Sequence, residues 1–278
     1  MSWREELHPR DPATGEFVGE EWAGKLVEMM KMSRFPNDPA GRQAILERYQ
    51  HEKPVEGVIL TGEQGKAEVL RYATGPGVVK KTFRRSHDIM PIEEAINNEL
   101  QFSVVAQALD APVAAVVRNP RGNRSILMAA IEGTEGVDLP ATTDQMRPIR
   151  SHPGVRLGLV DLLFLNDDRA ANYIVTPADV PVGFDNSQTM GVQHPRSVRQ
   201  PTAGGWQAAY ANPFIQAHFL RGSKWIDNPL TPGDVDEVAR RLLDLRDRGI
   251  IRDDQHAQAA KILEFIRPHA KGTMAVYR

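Results

Sequence analysis

The side chains best suited to chemistry crowd into one stretch: Asp167, Asp168 and Asn172 in the run Leu165-Asn166-Asp167-Asp168-Arg169-Ala170-Ala171-Asn172, then Asp185-Asn186 beyond a turn. An amide oxygen and a carboxylate are hard ligands, suited to a magnesium ion whose shell is completed by phosphate oxygens and water. Two short strands, Asn172 to Val175 and Val182 to Asp185, flank Thr176-Pro177-Ala178-Asp179-Val180-Pro181. A turn spanning 176–181 sets Asn172 opposite Asp185, where cross-strand neighbours lie about 4.5–5.5 Å apart. Asp167, in the loop before Asn172, then reaches the same point from the side. Asp and Asn are also favoured turn residues, so the spacing says little alone. The apolar helix before it and the hairpin after it make the set a site rather than a capped turn.

A second set lies upstream. Glu99 falls on the apolar stripe of a helix, where an unpaired carboxylate is costly to bury, so it needs a cation. The preceding strand offers Lys80 and Lys81, and alternation along a strand lets one of the two face Glu99. Such a pair would aim an ammonium at phosphate oxygens.

The elements that must position these residues are legible. Val58 to Gly62, Ala67 to Tyr72 and Val78 to Phe83 read as three antiparallel strands around Glu63-Gln64-Gly65-Lys66 and Thr74-Gly75-Pro76-Gly77 turns. The loop Thr61-Gly62-Glu63-Gln64-Gly65-Lys66 carries two glycines, which suits a plain hairpin better than a phosphate-covering loop. Pro91 opens a helix from Ile92 to Leu109 that Asp110-Ala111-Pro112 stops. Val113 to Val117 and Ser125 to Ile131 form a further hairpin. A loop from Pro140 to Pro153 leads to a buried helix over Val155 to Leu165. Beyond Trp206 the chain is mainly helical, with a capped start at Thr231-Pro232-Gly233-Asp234 and another helix over Ala257 to Ile266.

Residues 1–50 are polar and turn-rich around one expected helix, Glu20 to Met32, and read as an appended arm. The organisation expected is an arm at 1–50, a strand-rich lobe at 51–135 and a helical lobe at 136–278. The 278 residues carry 34 basic and 36 acidic side chains, so no global basic field recruits nucleic acid or anionic membrane. The absence of cysteine excludes disulfides, thiolate zinc and a cysteine nucleophile. No signal-like N-terminus and no run of about 18 apolar residues is present, which gives the expectation of a cytoplasmic chain without a membrane span. His51, His87, His152, His194 and His218 show no metal-ligand spacing.

Val79-Lys80, Glu99, Asp161 through Asn172 and Phe184-Asp185-Asn186-Ser187 together resemble the atypical kinase superfamily of phosphatidylinositol 3/4-kinase-like and HipA-type proteins. The resemblance covers residues 55 to 250. It implies an α+β, two-lobed protein-kinase-like fold with an antiparallel-sheet N-lobe and a mainly helical C-lobe, binding ATP and Mg2+. It implies phosphate contacts from Lys80 or Lys81 paired with Glu99, nucleotide contacts from Met128 and Ile131 on the exit strand, and metal ligands at Asn172 and Asp185. The chain departs from the family in having Asp168-Arg169-Ala170 with no histidine before Asn172. Matching on the Asp-Arg pair selects Asp168 as the residue that positions the acceptor hydroxyl, whereas distance to Asn172 selects Asp167, the preferred choice. Asp161 is expected to brace the loop. The implied activity is phosphoryl transfer to a protein Ser/Thr hydroxyl. The alternatives are a catalytically weak binding module and a nucleotidyl-transferring relative. The segment His8-Pro9-Arg10-Asp11-Pro12-Ala13-Thr14-Gly15-Glu16-Phe17-Val18 resembles short segments of tailed-phage head and morphogenesis proteins, which would make the arm a contact for a phage structural partner and the chain virion-associated.

Overall fold

The computed structural model describes residues 39–62, 65–74, 77–84, 90–139, 143–166, 168–190, 212–221 and 224–272. The expected helix Glu20 to Met32, the Glu63-Gln64 turn and Asp167 lie outside them. The chain divides into two compact units, Met1–Leu100 with Ala114–Gly133, and Gln101–Val113 with Thr134–Arg278. Together they make an α+β protein: an antiparallel sheet in the first unit, mainly helices in the second.

The first unit is built on a five-stranded sheet of β1 (Glu56–Gly62), β2 (Gly65–Arg71), β3 (Val78–Phe83), β4 (Val116–Arg118) and β5 (Ser125–Ala129), in the order β1-β2-β3-β5-β4. Every pairing is antiparallel. Period-two alternation gives the sheet two apolar faces. One carries Leu70, Val78, Leu127 and Ala129 and packs on Ile45 of helix α1 (Pro39–His51). Ile45, within the stretch read as an arm, is thus part of a buried core, with Leu46 and Tyr49 packed against it. The other face carries Phe83, Val116 and Ile126 against Ile96 of helix α2 (Ile92–Ala108). Helix α2 ends where Asp110 takes a left-handed conformation, φ 57°, and the Ala111 amide donates to the Ala106 carbonyl, closing the last turn.

In the second unit a short sheet of β6 (Thr134–Glu135), β7 (Tyr173–Val175) and β8 (Pro181–Gly183) accompanies helices α3 (Thr143–Ile149) and α4 (His152–Leu163). The stretch expected to be an irregular loop, Pro140 to Pro153, contains α3. Further on lie α5 (Pro213–His218), the hairpin β9 (Leu220–Arg221) and β10 (Lys224–Trp225), α6 (Pro232–Asp247) and α7 (Asp253–Ile266). The expected Thr231 cap is present: its hydroxyl accepts from the Asp234 amide while the Asp234 carboxylate accepts from the Thr231 amide. Leu157, Val160 and Leu163 of α4 are fully buried in the core of this unit with Phe214, Val238, Leu242 and Ile262. No helix among the described residues is long and apolar enough to cross a membrane.

Candidate functional site

In the first unit, Glu99 is 0% exposed and its carboxylate accepts from Lys81 Nζ at 3.0 Å. A carboxylate taken fully out of water in the apolar stripe of α2 stays charged only with a cation beside it, which fixes the Lys81 side chain toward the helix. Lys81, with 12% of its side chain exposed, also lies over the Phe83 ring, 4.8 Å from its centroid. The partner of Glu99 is therefore Lys81, not Lys80. Strand parity puts Lys80 on the face that packs on α1, where it pairs with Glu68 at 3.5 Å and remains 31% exposed. Of the two lysines the sequence offered to Glu99, the one that carries the resemblance, Lys80, thus lies on the opposite face of the strand.

The face that carries Lys81 also carries an apolar row. Val58, Val69, Val79, Met128 and Val116 are direct cross-strand neighbours, one from each strand. Met128 thus sits on the Lys81 face, beside Val79. Ile131 lies beyond the end of β5 and is half-buried.

In the second unit the loop after α4 is built on a buried pair. Arg169 and Asp161 are both 0% exposed, with Nη2 to Oδ1 at 3.0 Å. Asp161 also accepts from Asn166 Nδ2 at 2.9 Å and Asn212 Nδ2 at 3.0 Å. Asn212 has two tasks, since its Oδ1 accepts from the Phe214 and Ile215 amides and so caps α5. Helix α4 ends at Leu163, and beyond its cap Leu165 takes φ 55°, with the Asn166 amide donating to the Asp161 carbonyl at 2.8 Å. Glycine usually fills such a position, and a leucine there costs about 1 kcal/mol. The expectation that Asp161 braces the loop describes its contacts; its partners Arg169 and Asn212, and Asn186 on the far side of the Arg169 fork, were not foreseen. Arg169 beside two aspartates reads as a surface turn. Asn212 did carry a signal, the Asn-Pro pair of a helix start.

The hairpin differs from expectation by one residue. Tyr173 pairs with Gly183, Ile174 with Val182 and Val175 with Pro181, and the Phe184 amide donates to the Asn172 carbonyl at 3.1 Å. Asn172 therefore stands opposite Phe184, not Asp185. The physical cause is the turn. Asp179 adopts φ 59° and the Thr176 amide donates to the Val180 carbonyl, giving a three-residue loop where a turn over 176–181 holds an even number. Asp185, one residue past the pairing, takes φ 50°, a backbone that Asp tolerates better than most residues.

Asn172 Nδ2 donates to the Asp168 carbonyl at 2.7 Å, which orients the amide by its nitrogen and leaves its oxygen as the ligand atom. The Asp185 carboxylate accepts from Ser187 Oγ at 3.1 Å. Both are half-buried oxygen donors, the type magnesium takes. Among the described residues no group of three or more His, Cys, Asp or Glu side chains could hold a metal ion. Asp168 is described: its amide donates to Asn166 Oδ1 at 3.2 Å. Opposite Ile174, burial pushes the Glu135 carboxyl above its ordinary range, and Asp138 adds to the effect.

No protein-family model and no curated protein matches the chain. Among solved structures it is similar to the Helicobacter pylori proinflammatory kinase CtkA, at 12% identity and TM-score 0.41 over 79% of this chain and 92% of that one. It is also similar to the Rio2 kinase of Chaetomium thermophilum in an ADP/Mg2+-phosphoaspartate complex, at 12% identity and TM-score 0.42 over 96% and 77%. A third likeness is to the Golgi casein kinase with Mn/ADP bound, at 12% identity and TM-score 0.41 over 97% of both chains. Likeness at this level assigns no activity.

Proposed function

We propose that the chain is an ATP-dependent phosphotransferase of the atypical kinase type, acting on a protein Ser/Thr hydroxyl. The observation that carries this is the Lys81–Glu99 pair: a strand lysine held by a fully buried helix carboxylate, on a sheet face that also presents an apolar row. A structural ion pair needs neither the lysine's partial exposure nor its location beside Val79 and Met128. Lys81 would contact the phosphates and the apolar row the base. Asn172 Oδ1 and Asp185 would hold Mg2+, which when bound neutralises charge on the phosphates. Asp167 would orient the acceptor hydroxyl, with Asp168 the alternative. In this scheme the protein works by placing charge rather than by covalent chemistry.

One observation favours the second reading, a kinase-like module with little catalysis. Arg169 is turned inward, and Ala170 and Ala171 occupy the exposed positions before Asn172, so the loop offers neither histidine nor cation there. In either case the arm would be the contact for a protein partner, in the cytoplasm or on a virion.

The test is transfer of label from γ- or α-labelled ATP with magnesium, using the wild type, Asp185→Ala and Lys81→Ala. Label from γ-ATP alone, lost in both variants, supports the phosphotransferase. Label from α-ATP replaces it with nucleotidyl transfer. ATP binding without transfer supports the inactive module, and neither binding nor label ends the nucleotide reading.

A further inference from the structure

We infer that Arg169 is the positioning residue of the Asn172/Asp185 pair, an inference that rests on the metal-binding role proposed for those two residues. The evidence is where its donors go. A guanidinium has five N–H groups in a planar fork. Nε donates to Asp161 Oδ2 at 3.0 Å, and Nη2 donates to Asp161 Oδ1 at 3.0 Å and to Asn186 Oδ1. Nη1 donates to the Asn172 carbonyl at 2.7 Å and the Phe184 carbonyl at 2.9 Å. These contacts occupy the whole fork.

The last two acceptors matter most. They belong to Asn172 itself and to the residue before Asp185, on opposite strands of the hairpin. Strand pairing has run out there: the ladder ends at Tyr173 and Gly183, followed by one amide bond from Phe184. Arg169 Nη1 thus bridges the two backbones where both candidate ligands emerge. The fork is itself held from three directions, by Asp161 on α4, by Asn186 beyond Asp185, and through Asp161 by Asn212 at the start of α5.

The neighbouring sequence accommodates the fork. A Cβ on Gly183 would lie 2.7 Å from Arg169 Cζ and Nη1, so this strand position is open only to glycine while the guanidinium is in place. A buried arginine that served stability alone could satisfy its donors on any carbonyls. Here two of them converge on the ends of the segments that bear the oxygen ligands. Lysine cannot replace it, because three donors on one nitrogen cannot reach two carbonyls and a carboxylate in fork geometry.

The experiment measures Mn2+ affinity by electron paramagnetic resonance, with and without ATP, and amide hydrogen exchange of residues 184–187 in the metal-free protein. Wild type, Asp185→Asn, Arg169→Lys and Gly183→Ala are compared. If the wild type binds no Mn2+ with ATP, or Asp185→Asn binds as well as the wild type, the metal reading itself fails. Given wild-type binding that Asp185→Asn loses, folded Arg169→Lys is expected to bind Mn2+ at least tenfold more weakly, with faster exchange at 184–187 and unchanged affinity for metal-free ATP. Wild-type Mn2+ affinity in folded Arg169→Lys overturns the positioning role. Should Arg169→Lys not fold, Gly183→Ala gives the same readout: weakened Mn2+ binding supports the inference and wild-type binding overturns it. If neither variant folds, Arg169 is a core element only and the inference fails.

Discussion

Each unit of this protein contains a buried ion pair, and the two differ in how far they are closed to solvent. In the second unit Arg169 and Asp161 are sealed, both fully buried, with the guanidinium hydrogen-bonded throughout. In the first unit Glu99 is sealed but Lys81 retains some exposure. A sealed pair fixes backbone and has nothing left to offer a ligand. A half-open one keeps an ammonium in a defined direction at the edge of solvent, which is what the proposed phosphate contact requires. On the proposed function, the sealed pair is architecture and the half-open one recognition.

Breaking the sealed pair should have the largest effect on folding. Asp161→Ala leaves the Arg169 charge buried without its carboxylate, and is expected to destabilise by about 3–5 kcal/mol, measured by urea denaturation. Gly183→Ala, which pushes on the same guanidinium, is expected to cost about 1–3 kcal/mol in the same assay. The half-open pair should behave in the opposite sense. Glu99→Gln lets Lys81 turn to water and is expected to cost only about 1–2 kcal/mol, yet to reduce transfer from ATP on the order of 100-fold, because the ammonium loses its direction. Lys80→Ala on the other face should change stability by less than about 1 kcal/mol and transfer by less than twofold. A Lys80→Ala protein as impaired as Lys81→Ala would erase the distinction between the two faces.

The smallest expected effect is on pH dependence. His218 is buried with its Nε2 2.8 Å from the Ile149 carbonyl, and burial pushes its pKa below the ordinary value. The unfolded chain then binds the proton more readily than the folded one. The stability of the neutral ring is complete above about pH 6.5 and is lost as pH falls from there through the folded pKa. His218→Gln should flatten that acid limb, as read from thermal melts between about pH 5 and 7.

What the sequence disclosed follows from how local each signal is. The three strands of the first sheet, helix α2 with its stop at Asp110, and the Thr231 cap depend on neighbouring residues, and all were legible. Glu99 was legible because a carboxylate on an apolar stripe is an anomaly with one remedy. The choice between Lys80 and Lys81 was not, because parity depends on which sheet face meets α2, and no local pattern states that. The hairpin register failed for a related reason. Whether the turn holds an odd or even number of residues turned on Asp179 adopting a left-handed backbone, which Asp permits but does not demand. Arg169 and Asn212 stayed hidden because their meaning lies in partners distant in the chain.

On the proposed function, Lys81 directs this chain toward the phosphates of ATP. Calorimetric titration of MgATP into the wild type, Lys81→Met and Lys80→Met tests it most directly. Saturable binding to the wild type and Lys80→Met with equal affinity is expected, and at least tenfold weaker binding to Lys81→Met. Equal binding by all three proteins, or no binding by any, would contradict it.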